Sequence, residues 1–310
     1  MLRCARPSPL PRRSSSLSSS STPARSRAAV LQVCSAGVVW GTAPVAFAAV
    51  GDLSPLAVSA WRLTVAAAVL GLLAVATGAM AAVLAAVQTS PVPVVVIGLG
   101  VAAYQALWFA SIPLVGAAVS TVVALGLAPI GVTAWEALCT RRTPAPSRLG
   151  TIAVAVTGLV LVSTVDAGTG TAPTAGVLLA IASGLIYAAV TVVGRHAAPR
   201  ITPMVLTTMT TTVGALGLLP LAMLTGPVGT SAPASLRALG YLGVVTMAGG
   251  YLLLYTGLRT ASAGTAAVAT LLEPATAAVL AVLLLGESLP AHGVAGVVLI
   301  FGAVTALRNR

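Results

Sequence analysis

From residue 28 onward the chain is a succession of ten long apolar runs, and that pattern limits the fold more than any other feature. The runs fall at about 28–50, 55–77, 92–112, 115–137, 149–165, 174–193, 204–224, 238–258, 262–285 and 290–307. A helix needs roughly 20 apolar residues to cross a hydrocarbon core about 30 Å thick. Inside that core every backbone polar group must be satisfied within the protein, which leaves helices or closed barrels. Barrel strands read as short alternating segments, and these runs are unbroken. The chain is 58% hydrophobic and 7% charged over 310 residues, a balance foreign to soluble domains of that length. The expectation is an all-α polytopic membrane protein with ten transmembrane helices. The stretch 79–87 is apolar but too short to span.

All sixteen basic residues are arginines, and the net charge is +11. Their placement gives orientation. With the N-terminus cytoplasmic, the inner side collects Arg3, Arg6, Arg12, Arg13, Arg25, Arg27, Arg141, Arg142, Arg148, Arg195, Arg200, Arg259, Arg308 and Arg310, and the outer side only Arg237. Asp52, Asp166 and Glu287 fall outside. This positive-inside bias predicts a multi-pass protein of the bacterial plasma membrane with both termini cytoplasmic. Residues 1–27 are rich in Arg and Ser and hold no acid. Such a segment buries no core and is read as disordered. A cytoplasmic tail or an extended translation start is favoured over an organelle transit peptide. Cys4, Cys34 and Cys139 show no metal or redox spacing.

The chain repeats itself. SAGVVWGT (35–42) precedes a loop with Ser54-Pro55, and ASGLIYAA (182–189) precedes one with Thr202-Pro203. Trp40 therefore corresponds to Tyr187. Tyr104 and Trp108 in AYQALWF match Tyr251 and Tyr255 in GYLLLYT, and AAVSTVVALGLAPIGVTAW (117–135) matches SAGTAAVATLLEPATAAVL (262–280), aligning Pro129 with Pro274. The repeat unit is five spans, residues 28–165 and 174–308. Five is odd, so the second copy enters the membrane inverted. Inverted repeats are typical of secondary transporters, whose substrate sites lie near the midplane between the halves.

Few residues in these spans carry chemistry. Glu273, in the middle of 262–285, is costly in hydrocarbon unless it faces protein or water. A carboxyl group withdrawn from water also holds a proton more readily, which is what proton coupling needs. Arg62 is the other intramembrane charge, able to bind a carboxylate in two-pronged fashion or to snorkel to the interface. Glu136, at the end of the fourth run, is expected at the interface near Arg141 and Arg142. Trp40, Tyr187, Tyr104, Trp108, Tyr251 and Tyr255 lie inside spans, at matching places in the two copies. They suit either a ligand cavity or ordinary packing. Pro44, Pro129 and Pro274 interrupt apolar helices as kinks or hinges. His196 and His292 are isolated, so no metal site is expected, and no cofactor either. A phosphate-cradling loop with lysine is missing, since the chain has no lysine. The chain is not expected to be an enzyme, and nucleic acid is not an expected partner.

The run LLEPATAAVLAVLLLGESL (271–289) resembles the second repeat of the EamA family of the drug/metabolite transporter superfamily, with its "EP" at Glu273-Pro274 and "GE" at Gly286-Glu287. First-repeat marks are VVWGT (38–42), WR (61–62) and LAPI (127–130); Arg141-Arg142 stand where members often keep Gly-Glu. The resemblance implies ten helices, cytoplasmic termini and a central cavity built from both repeats. It also implies transport of amino acids, small metabolites, drugs or nucleotide-linked compounds, many members being exporters. The function expected is export of a small metabolite, amino acid or drug-like compound by alternating access, with proton exchange read from Glu273 as the driving force. An importer, or a non-transporting protein such as an intramembrane lipid-modifying enzyme, is the alternative. The partners expected are a small-molecule substrate, protons and the lipid bilayer.

Overall fold

The computed structural model describes residues 23–50, 53–163, 172–286 and 288–307. The helices are, in order, α1 (Pro23–Gly41), α2 (Ala43–Ala48), α3 (Pro55–Ala76), α4 (Met80–Thr89), α5 (Pro91–Val115), α6 (Ala117–Thr140), α7 (Pro146–Ser163), α8 (Pro173–Ala197), α9 (Pro203–Thr225) and α10 (Pro233–Tyr241). A π-helix, Leu242–Gly249, follows, and then α11 (Gly250–Gly257), α12 (Ala263–Ala269), α13 (Leu272–Leu285) and α14 (Ala291–Leu307). The described residues contain no strand. Asp52, Asp166, Glu287, Arg308, Arg310 and residues 1–22 lie outside the described residues. The first helix reaches back to Pro23 rather than starting at residue 28.

Prolines open the helices. α3, α5, α8, α9 and α10 each carry one in the first two positions, where the missing N–H has no intrahelical acceptor to lose. Ser54 caps α3 by accepting from the Ala57 amide at 3.2 Å, and Ser262 caps α12 through the Thr265 amide at 3.0 Å.

Ten spans result. The first is α1–α2, the eighth α10, the π-helix and α11 in line, and the ninth α12–α13. The other spans are α3, α5, α6, α7, α8, α9 and α14. Among the described residues, nine stretches are long and apolar enough to cross a membrane, while α14 is shorter and α4 shorter still. Leu72, Leu216, Leu224 and Leu283 point outward and are mostly exposed, an apolar exterior suited to lipid rather than water.

The packing carries the inverted repeat into three dimensions. α5 lies along α8, and the equivalent pair, α11 and α1, does the same. α6 packs on α8 as α13 packs on α1, and α5 on α9 as the π-helix packs on α3. The α3–α9 and α7–α14 pairs are their own equivalents. Close approaches obey the same symmetry. A Cβ on Gly37 would fall 2.8 Å from the Ala269 carbonyl, and one on Gly184 would fall 2.6 Å from the Ala124 carbonyl. Gly37 matches Gly184, and Ala269 matches Ala124. Small residues let these helices touch through their backbones, where lipid supplies no hydrophobic drive.

These leading contacts run between copies rather than within them. The buried face of α3, including Leu63, Ala66 and Leu70, is covered largely by α9 of the other copy. Neither half is therefore expected to fold by itself. Residues 1–165 and 166–310, produced as separate chains in one membrane, should co-purify, whereas either one alone should be trypsin-sensitive. A protease-resistant first half obtained alone would contradict this.

Candidate functional site

Two spans are broken at the same depth and face each other. α1 stops at Gly41, and α2 starts at Ala43 with Pro44 in its first turn. α12 stops at Ala269, and α13 starts at Leu272 with Glu273 in its first turn. The second break has a local cause. The Thr270 hydroxyl donates to the Ala267 carbonyl at 3.1 Å, and the Glu273 amide reaches back only three residues, to the Thr270 carbonyl at 3.0 Å. Pro274 has no amide to restore the helical ladder.

Pro129, the counterpart of Pro274, does not interrupt its helix. It is buried inside the unbroken α6. The residue matching Thr270 is Leu125, which has no hydroxyl to take a backbone carbonyl, so the helix absorbs the single missing bond. Pro44 and Pro274 do lie at interruptions.

A cavity of about 550 Å³ lies beside these breaks. Its middle is walled by Trp40, Arg62, Tyr104, Tyr187, Tyr251 and Glu273, with Pro44, Gln105, Trp108, Ser183, Met247 and Pro274 also lining it. Thr121, Val162, Val282, Ser288 and Leu289 carry it towards the end of the bundle opposite the termini. The aromatic groups form one connected wall. Trp40 and Tyr251 have ring centroids 5.2 Å apart, Tyr104 and Tyr187 5.1 Å, and the Tyr104 and Tyr251 hydroxyls share a hydrogen bond of 3.0 Å. Ser183 donates to the Tyr104 carbonyl at 2.8 Å.

The two charges face this one space. The Arg62 guanidinium carbon lies 5.8 Å from the Phe47 ring centroid, within cation–π range. Its Nη2 donates to the Thr246 hydroxyl at 3.3 Å, and its Nε is buried with no partner. Arg62 and Glu273 make no ion pair: among the described residues the one salt bridge is Arg148–Glu136, at 2.5 Å. That pair gives half-buried Glu136 its partner, Arg148 of α7, in place of the neighbouring Arg141 and Arg142. Arg141 ends α6 in the left-handed conformation, and the turn that follows returns Arg148 towards the α6 end.

Tyr255 is the candidate left out of the cavity. The four-residue spacing does place it beside Tyr251, with centroids 5.7 Å apart, but it is 1% exposed and packs under Gly194. Thr246, Phe47, Gln105 and Ser183 were missed by the sequence reading. Gln105 and Ser183 had a signal, a polar side chain inside an apolar run. Thr246 had none, because threonine recurs inside these apolar runs, with five between Thr207 and Thr212 alone. Among the described residues no group of three or more His, Cys, Asp or Glu is placed to hold a metal.

Ten spans in two inverted copies around a mid-bundle cavity define a polytopic membrane transporter scaffold. The chain belongs to the EamA-like transporter family, whose model matches residues 27–164 and 174–308, once on each copy. Comparison with curated proteins gives no match. A solved crystal structure of a protein with 22% sequence identity superposes with a TM-score of 0.76, covering 90% of this chain and 95% of its own. At that identity the likeness concerns the fold.

Proposed function

We propose that the chain exports a small metabolite, amino acid or drug-like compound across the bacterial plasma membrane by alternating access, in exchange for protons. The observation that carries this reading is that Arg62 and Glu273 line one cavity without pairing with each other. A cation and a carboxylate are thus both left for a ligand, between aromatic faces. A small zwitterion with an apolar or aromatic body matches that chemistry.

The shape of the bundle supports alternation. A second cavity, about 250 Å³, lies at the end holding the termini, lined by Val30, Arg148, Thr260, Gly264, Thr265, Val268 and Leu307. Along the ninth span, Ala269, Thr270, Leu271 and Leu272 are buried between Val268 of this cavity and Glu273 of the larger one. With both termini cytoplasmic, the larger cavity faces outward and the inner path is shut. Rocking of one copy against the other would exchange the two.

The test is flux in proteoliposomes loaded with a pooled mixture of amino acids and small metabolites. An imposed pH gradient is expected to drive accumulation of at least one component, and collapsing it with a protonophore should stop the accumulation. Accumulation indifferent to the gradient would remove protons from the mechanism. Flux that only equilibrates would point to a passive channel. The side on which solute gathers relative to the gradient distinguishes exporter from importer.

A further inference from the structure

We propose that Thr246, held in the π-helix of the eighth span, is the positioning residue that keeps Arg62 available for a ligand carboxylate. The inference rests on the reading of the large cavity as a ligand site.

π-Helices are rare and appear mostly at functional sites, because widening the turn frees backbone groups from the regular ladder. Here the π segment spans Leu242–Gly249 in the middle of a membrane helix. Its Thr246 carbonyl accepts the Trp40 indole N–H at 2.8 Å, a link from the eighth span to the first. A Cβ on Gly250 would lie 2.4 Å from that indole nitrogen, so the glycine makes the room the indole occupies. Trp40 and the π segment are fitted to each other.

The Thr246 side chain completes the arrangement. Its hydroxyl donates to the Leu242 carbonyl at 2.5 Å, which spends its one proton and leaves its lone pairs for Arg62 Nη2. Thr246 is fully buried, so water cannot replace it in that role. Among the described residues Thr246 Oγ1 is the acceptor of Arg62 Nη2, and the buried Nε has no partner. The hydroxyl therefore fixes the fork without neutralising it, as a carboxylate partner would. Without the hydroxyl that Nη2 contact is lost, and among the described residues Glu273 is the one carboxylate lining the same cavity. Pairing of those two would remove both charges from the ligand.

The experiment uses the purified full chain in detergent, with phenylacetate and its neutral isostere phenylacetamide as probes. Binding is read as the shift in melting temperature and as quenching of tryptophan fluorescence. Wild type is expected to bind the acid at least tenfold more tightly than the amide. Thr246→Val keeps the shape and loses the hydroxyl, and it should reduce that preference to about one. Thr246→Ser should restore it. A purely structural role would weaken acid and amide together, or lower stability without changing their ratio, and either result overturns the proposal. Wild type binding both probes equally would leave the cavity a ligand site but overturn the assignment of Arg62 and Thr246. If neither probe binds and no solute moves in the flux assay, the ligand-site reading fails and the inference with it.

Discussion

Glu273→Gln is expected to reduce pH-gradient-driven accumulation to the level of protein-free vesicles. Glutamine matches the protonated side chain in size and neutrality but cannot release a proton, so it removes the one carboxylate that lines the cavity among the described residues while leaving the packing. Among the described residues Glu273 has no salt-bridge partner, so the substitution orphans no cation. The purified variant should keep its melting temperature within a few degrees. Solute exchange with equal concentrations on both sides needs no net proton movement, and should persist in the variant. That combination, lost accumulation with retained exchange, is the signature of a coupling group. Equal accumulation in both proteins would leave Glu273 a structural carboxyl at the break in the ninth span. Loss of both activities with unchanged stability would make it a ligand contact rather than a coupling group.

Gly41→Val is expected to have the largest effect on stability. A Cβ at Gly41 would lie 2.4 Å from Thr276 Cβ and 2.6 Å from the Glu273 carbonyl. The second contact is backbone, which cannot rotate away, so the two broken spans must separate. Overpacking in a well-filled interior costs about 1–3 kcal/mol, and two fixed contacts place this site at about 3 kcal/mol or above. The variant should lose its monodisperse peak on size exclusion or melt many degrees lower. The pseudo-symmetry supplies a control. The equivalent contact lies between Ala188 and Gly131, where a Cβ on Gly131 would sit 3.0 Å from Ala188 Cβ. In that pair the methyl and the glycine have changed sides. Gly41→Ala combined with Thr276→Gly recreates that distribution, and it should be more stable than Gly41→Ala alone. Additive losses in the double variant would show that the Glu273 carbonyl, rather than Thr276, sets the limit. The same substitution at Gly71, with nothing within 4 Å of an added Cβ, should be nearly silent.

Much of the site was legible because membrane depth makes polarity rare. Glu273 and Arg62 stood out as charges in hydrocarbon, where each is expensive. Trp40, Tyr104, Trp108, Tyr187 and Tyr251 stood out as aromatics away from the interfaces, and all five line the cavity. Tyr255 shows where that logic stops. Spacing of four places a residue on a helix face, but says nothing of what covers the face further along. Pro129 shows another limit. Proline removes a hydrogen bond wherever it stands, yet whether a helix breaks depends on the groups that take up the freed carbonyls, here the Thr270 hydroxyl and the Glu273 amide.

Class, spans and the doubled plan follow from length, hydropathy and internal similarity along the chain, and so could be read before any coordinates. The sequence also marked the two buried charges. Tertiary structure decided what those charges do together. Arg62 and Glu273 lie in different copies, and only the packing of the two copies around a shared cavity brings them to one space without pairing them. The same holds for Thr246, whose two polar groups reach the first and second spans from the π-helical stretch of the eighth. Local pattern records which groups are out of place in lipid; the partner that justifies each one is supplied by a helix far away in the chain.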